Sequence, residues 1–456
     1  MNPAATRLRI ACGQLAAHDL DDARVALDEA VAMVERAGAE GAQLCVLPEA
    51  TYPAYVLGSA AAARAVIAAG PDPVECLAAA ARDAGCTVVA GVVLEADTGL
   101  ENAAVMIDAT GTVRARAGKR FLWHFDREWF TVGRAGPVVD GIGTLVCADA
   151  RLPEIGLDLV ARGARVIANP TAWVTSQPPP AGTNSQAEFL WRVRALENHV
   201  VAVAATKVGT EGGTVIYSGG SQIVDASGRV VARGAATEPE LVIADVELPE
   251  RSWSGSQASP SPTPQSPARA GRAATSPLVQ EQRSPTDAAP APAPRRPPLR
   301  EGYVQVAILS DDDLLDRIDG HGVDLVVGPR GVVRNARADL AVATFADDEL
   351  VDPRPARAAA LDGVECIVWL AHRVRTPLVE EIARTRALEN RVFVLVWRAA
   401  TDGGPLVADP SGAVIARAAA ARFVVQTACL RAATATKVMA PGTDAWDAVL
   451  ALGREP

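Results

Sequence analysis

Lysine is almost missing from this chain. Lys and Arg together number 44 in 456 residues, yet lysine stands only at positions 119, 207 and 437. Codon bias accounts for the scarcity as a whole but not for which lysines survive. An excess of positive charge is lacking too. The net charge of −10 argues against a basic surface for nucleic acid or anionic membrane. No apolar run reaches about 18 residues, and no basic segment, apolar stretch and small-residue cleavage site open the chain. Paired cysteines are absent as well. Cys12, Cys45, Cys76, Cys86, Cys147, Cys366 and Cys429 are scattered and odd in number, which suits neither a disulfide framework nor a zinc site. A soluble cytoplasmic protein, binding neither nucleic acid nor membrane, is expected.

What is present divides the chain in three. Hydrophobic residues make up 49%, enough for a core in each of two or three domains. Residues 251–301 hold eleven of the 32 prolines among Ser, Ala, Gln and Thr. Such a composition offers little apolar surface to offset ordering, and predicts a disordered linker. It separates residues 1–250 from residues 302–456. In the first part, short apolar runs alternate with helix-spaced segments. Arg9–Leu15, Gln43–Leu47, Thr87–Val93, Ala103–Ile107, Gly143–Cys147, Val166–Ala168 and Val200–Ala204 read as strands, and Asp21–Ala37 and Leu77–Ala84 as helices. An α/β layered fold with sites at strand ends follows.

A repeat crosses the divide. Arg194-Ala-Leu-Glu197-Asn198, an apolar strand and Asp225-Ala-Ser-Gly228 are answered by Arg386-Ala-Leu-Glu389-Asn390, an apolar strand and Asp409-Pro-Ser-Gly412. Upstream, Leu44-Cys-Val-Leu-Pro48-Glu49 is answered by Leu325-Val-Val-Gly-Pro329-Arg330. Three matches in one order predict duplication, followed by loss between the Pro329-Arg330 and Arg386–Asn390 landmarks of the later copy.

Three segments of the first part carry chemistry. Glu49 follows a buried strand, Lys119 stands in Ala117-Gly118-Lys119-Arg120, and Cys147 ends a strand just before Asp149 and Arg151. Singly, each has a plain reading: a solvated carboxylate, a surface charge, a core thiol. Together they meet the needs of covalent catalysis at an acyl carbon. A thiol requires a base or a positive neighbour. A partly buried carboxylate can exchange a proton near neutrality. A fixed ammonium stabilises thiolate and oxyanion, as a compact point charge that the planar guanidinium does not match.

On these residues the chain resembles the nitrilase, or carbon–nitrogen hydrolase, superfamily. The resemblance spans residues 8 to about 250 and rests on Pro48-Glu49, Glu101-Asn102-Ala103, Lys119, Cys147-Ala-Asp-Ala-Arg151-Leu-Pro153-Glu154, the Arg194–Asn198 segment and Gly219-Gly220-Ser221 through Asp225. It implies a four-layer α-β-β-α sandwich, followed by a truncated copy of the same fold. It also implies Glu49 as general base, Lys119 as oxyanion stabiliser and Cys147 as nucleophile, with the backbone N–H of Ala148 assisting at the oxyanion. A second glutamate of the family maps onto Glu128, the only glutamate between Lys119 and Cys147. No metal or organic cofactor is required. His124 and Trp173 are candidates to line the substrate pocket, each with a packing role as its alternative.

A Cys147–His124 or Cys147–His199 dyad would be the papain-like arrangement, but nothing around either histidine matches it. Nitrile-hydrolysing relatives usually follow the cysteine with Trp-Glu, whereas Ala148-Asp149 follows here, favouring a linear amide or N-carbamoyl substrate. The rivals are a nitrile hydrolase and a catalytically silent binding or scaffold protein. In the second copy Arg330 stands where Glu49 does, Asp347 falls opposite Cys147 and the lysine segment is missing. A non-catalytic pseudo-domain is expected there, supplying an intrachain pseudo-dimer contact or leaving a homo-oligomer to form.

Overall fold

Residue-by-residue alternation builds the first half. Along Arg7–Ala16 (β1) and Leu44–Val46 (β2), Ile10, Cys12, Leu44 and Val46 enter one core, while Ala11, Leu15 and Cys45 enter another. A strand apolar on both faces must be covered on both. On one face lie Ala23–Ala39 (α1), which buries Leu27, Ala30, Val34 and Ala37 at helical spacing, and Pro73–Ala84 (α3). The latter opens with Asp72 accepting from the N–H of Val74 at 2.7 Å, and ends at left-handed Gly85. On the other face lies the second sheet.

The computed structural model describes residues 6–179, 181–250, 303–309, 323–336, 340–418, 423–429, 438–440 and 443–444. Segment 251–301 and Lys437 lie outside these residues. The first sheet runs Val113–Gly118 (β5), Gly99–Ile107 (β4), Thr87–Ala96 (β3), β2, β1, Lys207–Glu211 (β10), Val215–Ser218 (β11) and Val174–Thr175 (β8), with Glu240–Glu247 (β14) antiparallel to β1. The second runs Val230–Arg233 (β13), Gln222–Val224 (β12), Val201–Ala205 (β9), Val166–Pro170 (β7) and Ile142–Thr144 (β6). Its far face is covered by Pro153–Ala161 (α5) and Trp191–Asn198 (α6), through Ile155, Leu159, Trp191 and Ala195. The result is a four-layer α-β-β-α sandwich. Two shorter helices, Ala60–Ala69 (α2) and Asp126–Trp129 (α4), lie in the loops. The strand expected over Gly143–Cys147 stops at Thr144, because residues Cys147–Arg151 wind into a 3-10 turn.

The second half holds two further sheets. Tyr303–Leu309 (β15) lies parallel to Leu325–Gly328 (β16) and antiparallel to Phe423–Cys429 (β23), with Gly331–Asn335 (β17) at the edge. The other sheet orders Val342–Ala346 (β18), Cys366–Leu370 (β19), Phe393–Trp397 (β20), Leu406–Ala408 (β21) and Val414–Arg417 (β22). These five strands have the order and directions of β6, β7, β9, β12 and β13. Pro353–Leu361 (α7) and Val379–Asn390 (α8) cover it as α5 and α6 cover theirs. Asp347 opens the 3-10 turn Asp347–Leu350 with φ of +44°, as Cys147 opens its own with φ of +46°.

The halves meet along these helices. Val193 of α6 enters the core formed by Ile382, Ala383 and Ala387 of α8. Arg194 reaches Glu197 and Glu389, both at 2.5 Å. Arg386 reaches Glu389 at 2.7 Å and Glu197 at 2.6 Å. All four side chains are 3% exposed or less. This closed ring of two arginines and two glutamates repeats each bond under exchange of the halves. Around it, Arg192 meets Glu381 at 2.5 Å, and Arg384 meets Glu188 at 3.0 Å.

Candidate active site

Glu49 and Cys147 sit just beyond the carboxyl ends of β2 and β6, and Lys119 just beyond β5. Three chain turns thereby bring together residues far apart in sequence. All three side chains are buried. Glu49 Oε1 accepts from Lys119 Nζ and from Asn102 Nδ2, both at 2.7 Å. Its Oε2 is buried without a partner, and Cys147 is close enough for the two groups to shift each other's titration. Burial pushes the Glu49 carboxyl up, against the pull of Lys119. Burial pushes the Cys147 thiol up to about 12, with Glu49 adding to the rise. Cys147 therefore rests as a thiol, and would need a base to act as a nucleophile.

Lys119 lies between two carboxylates, Glu49 and Asp126, the second at 2.5 Å. Burial opposes its charge, but Asp126 and Glu49 outweigh burial and hold it well above the ordinary lysine value. Asp126 is fixed in turn by the Tyr55 hydroxyl at 2.8 Å and the Trp123 N–H at 2.7 Å. Glu128 does not join this cluster. It lies exposed on α4, two residues further on. The residue beside Lys119 is an aspartate, so a search confined to glutamates passes over it. The segment Asp126-Arg127-Glu128 contained the signal.

The loops carrying these groups are pinned from behind. Asp149 accepts from the N–H groups of Arg120 at 3.0 Å and Phe121 at 2.7 Å on one oxygen, and from Val146 at 3.1 Å on the other. It therefore ties the lysine segment to the cysteine turn. Asn169 Oδ1 accepts from the Cys147 N–H at 2.6 Å. The positive φ of Cys147 is a conformation that costs a non-glycine residue about 1–3 kcal/mol and persists only where its surroundings enforce it. Gly91 lets β3 pass beneath Glu49: a Cβ there would stand 2.4 Å from the Pro48 carbonyl oxygen and 2.5 Å from Glu49 Cα.

Lys207, to which the sequence assigns no role, is the second buried lysine. Its Nζ donates to the Ala50 carbonyl at 3.0 Å and meets Glu211 at 2.9 Å. Glu211 also accepts from the N–H groups of Tyr55 at 2.5 Å and Val56 at 2.6 Å. The pair thus braces the loop that follows Glu49.

The pocket candidates fall in different places. Ala148 is buried in the cysteine turn. Trp173 is fully buried within the main core, next to Ala172, whose carbonyl accepts from the Cys147 thiol at 3.7 Å. His124 is exposed at φ +51°, its ring edge-on to Phe125. Arg151 is buried, with its guanidinium 4.2 Å from the Trp123 ring centre and 3.2 Å from the Ser185 hydroxyl. Burial lowers its pKa to about 10.

Among the described residues no helix is long and apolar enough to cross a membrane. The carbon–nitrogen hydrolase family matches residues 9–252. A nitrilase of Pyrococcus abyssi is 30% identical over 223 residues, covering 47% of this chain and 81% of that protein. A hydrolase of Mycobacterium tuberculosis is 30% identical over 232 residues, covering 46% and 80%. An omega-amidase of Escherichia coli is 26% identical over 217 residues, again covering 46% and 80%. The family match falls on the half of the molecule that holds Glu49, Lys119 and Cys147, and this chain belongs to the carbon–nitrogen hydrolase family.

Proposed function

We propose that the protein hydrolyses non-peptide C–N bonds of a linear amide or N-carbamoyl compound through an acyl-enzyme on Cys147. One observation carries the reading. Glu49 is held through Oε1 by Lys119 and Asn102, while Oε2 stays buried and unpartnered beside Cys147. A carboxylate so held has a lone pair available for the thiol proton.

The steps follow from the placement. Glu49 takes the proton as the Cys147 sulfur bonds to the carbonyl carbon, and the carbonyl π pair moves onto oxygen. The Lys119 ammonium and the Ala148 N–H stabilise that oxyanion. As it collapses, the C–N bond breaks and the nitrogen leaves as the amine with the proton from Glu49. A water, deprotonated by Glu49, attacks the thioester, and the thiolate departs and recovers its proton. Asp126 keeps Lys119 charged throughout. The Arg151 guanidinium has no carboxylate partner among the described residues, which supports a substrate carrying an acidic group.

The omega-amidase relative favours amides and the nitrilase relative keeps nitriles as the second reading. The second half is read as non-catalytic, with Asp347 at the cysteine position, Arg330 at the Glu49 position and Lys437 as its sole lysine. The test is a panel of matched amides, N-carbamoyl compounds and nitriles, with and without a carboxylate, scored by ammonia release and product identity. An acyl adduct on Cys147, seen by mass spectrometry and lost in Cys147→Ala, is expected. Equal activity of wild type and Cys147→Ala would overturn the nucleophile; turnover of nitriles alone would overturn the amide reading.

A further inference from the structure

The ring of charges between the halves does more than join them. The Arg194 guanidinium also donates from Nε to the Ala150 carbonyl at 2.6 Å and from Nη2 to the Arg151 carbonyl at 3.3 Å. Both carbonyls belong to the turn that Cys147 opens. The same Nη2 is held at 2.5 Å by Glu389, a residue of the second half. A second tie runs parallel. Arg357 of α7 donates at 2.7 Å to Glu154, in the first turn of α5 directly after the cysteine turn, and at 2.8 Å to the backbone carbonyl of Glu389. The second half thus holds the catalytic turn on both sides, through buried groups and the half-exposed Glu154.

We infer that Glu389 is a positioning residue for the reaction at Cys147. It fixes the Arg194 guanidinium in the one orientation that grips both carbonyls of the cysteine turn. The physical need is plain in the geometry. Cys147 sits at φ +46°, a strained conformation that reverts unless the following turn is restrained. Arg194 has two anionic neighbours, Glu197 on its own helix and Glu389 across the interface. With Glu197 alone, the fork can rotate about its remaining anchor. With both, its plane is set and the second nitrogen edge faces the turn. The shortened half, without a nucleophile of its own, then acts on the nucleophile of the other. The exchanged arrangement supports this: Arg386 grips the Leu350 and Val351 carbonyls of the Asp347 turn at 2.9 Å and 2.8 Å, held by Glu197 at 2.6 Å.

The inference rests on Cys147 as nucleophile, and the experiment separates the two. In the full chain, Glu389→Gln keeps the volume and removes the charge. Glu381→Gln, which loses only the Arg192 pair elsewhere on the interface, is the control. Three quantities are read below the unfolding midpoint of each variant: kcat per titrated thiol, KM, and the rate of Cys147 alkylation by iodoacetamide followed by peptide mass. Expected for Glu389→Gln is a fall in kcat of about tenfold to 100-fold, the scale of a small misplacement of a reacting group. KM should stay within about twofold, alkylation should slow in step, and Glu381→Gln should match wild type. Unchanged kcat, a change in KM alone, or an equal loss in Glu381→Gln would each overturn the inference. Should Glu389→Gln fail to fold, Glu154→Gln cuts the parallel tie from a half-exposed position. A smaller fall in kcat with slowed alkylation then supports the inference, and wild-type values overturn it. If alkylating Cys147 leaves turnover intact, it is the nucleophile reading that fails.

Discussion

At the scale of single residues, the site is a line of buried charges with one vacancy in its bonding. Asp126, Lys119 and Glu49 are joined by bonds of 2.5 and 2.7 Å, and the free oxygen of Glu49 ends the line next to the thiol. Asp126→Asn is therefore expected to lower kcat/KM by about 100-fold, comparable to losing one electrostatic stabiliser of a developing oxyanion. Glu128→Gln should stay within about twofold of wild type. Equal losses in the two variants would return the role to Glu128. The pH profile carries a second expectation. Burial raises the Glu49 pKa, so the base form accumulates only as pH climbs past the usual glutamate value of about 4.3. The acid limb of kcat/KM should have its midpoint above that value, as a property of the coupled site rather than of one group. A midpoint at or below it would remove the raised carboxylate as base.

At the scale of elements, what was legible depended on whether the signal was local. The buried strands before Glu49 and Cys147, the helix α3 and the repeated Arg-Ala-Leu-Glu-Asn segments are periodic or short-range, and they stand near where the sequence puts them. The strand end at Thr144 was not legible, because the 3-10 turn is held not only by its own Asp149 but by Asn169 from a distant strand. Asp126 was passed over in favour of Glu128 for a similar reason. Only the fold decides which acid of Asp126-Arg127-Glu128 faces Lys119. Lys207 showed itself as rare but not as a brace, since its partner Ala50 is 157 residues away. Gly91 tests the element scale. Gly91→Ala drives a methyl group into the Pro48 carbonyl, so β3 or the Glu49 loop must shift. A fall in kcat with the fold retained by circular dichroism is expected, and wild-type kcat would show that the contact relaxes without moving the base.

At the scale of the whole molecule, the Arg194, Glu197, Arg386 and Glu389 ring governs how the halves respond to acid. Burial alone would raise the Glu389 pKa, but Arg386, Arg194 and Arg357 outweigh it and hold the carboxyl below its usual range. A lowered carboxyl pKa contributes stability that is present above the unfolded value and lost as pH falls through the folded one. Thermal unfolding midpoints should therefore drop as pH falls below about 4.3. That drop should be shallower in Glu389→Gln, which starts lower because it leaves buried arginines short of a partner, a defect of about 3–5 kcal/mol in other proteins. Equal pH dependence in both would place the acid-labile charge elsewhere. Cutting the chain after residue 250 bares α6 with Arg194 and Glu197. The fragment should lose stability or pair with itself by sedimentation, Glu197 of each copy replacing Glu389 of the other.

The exchange-symmetric ring has one more consequence, for behaviour on dilution. Two separate chains meeting through such a ring would come apart as concentration falls, and turnover per molecule would decline with them. Here both sides of the ring belong to one polypeptide, so their encounter is intramolecular and its effective concentration is fixed by the connecting segment rather than by the solution. Specific activity should then hold constant over successive dilutions. The partner is inherited with the chain and always present in equal number.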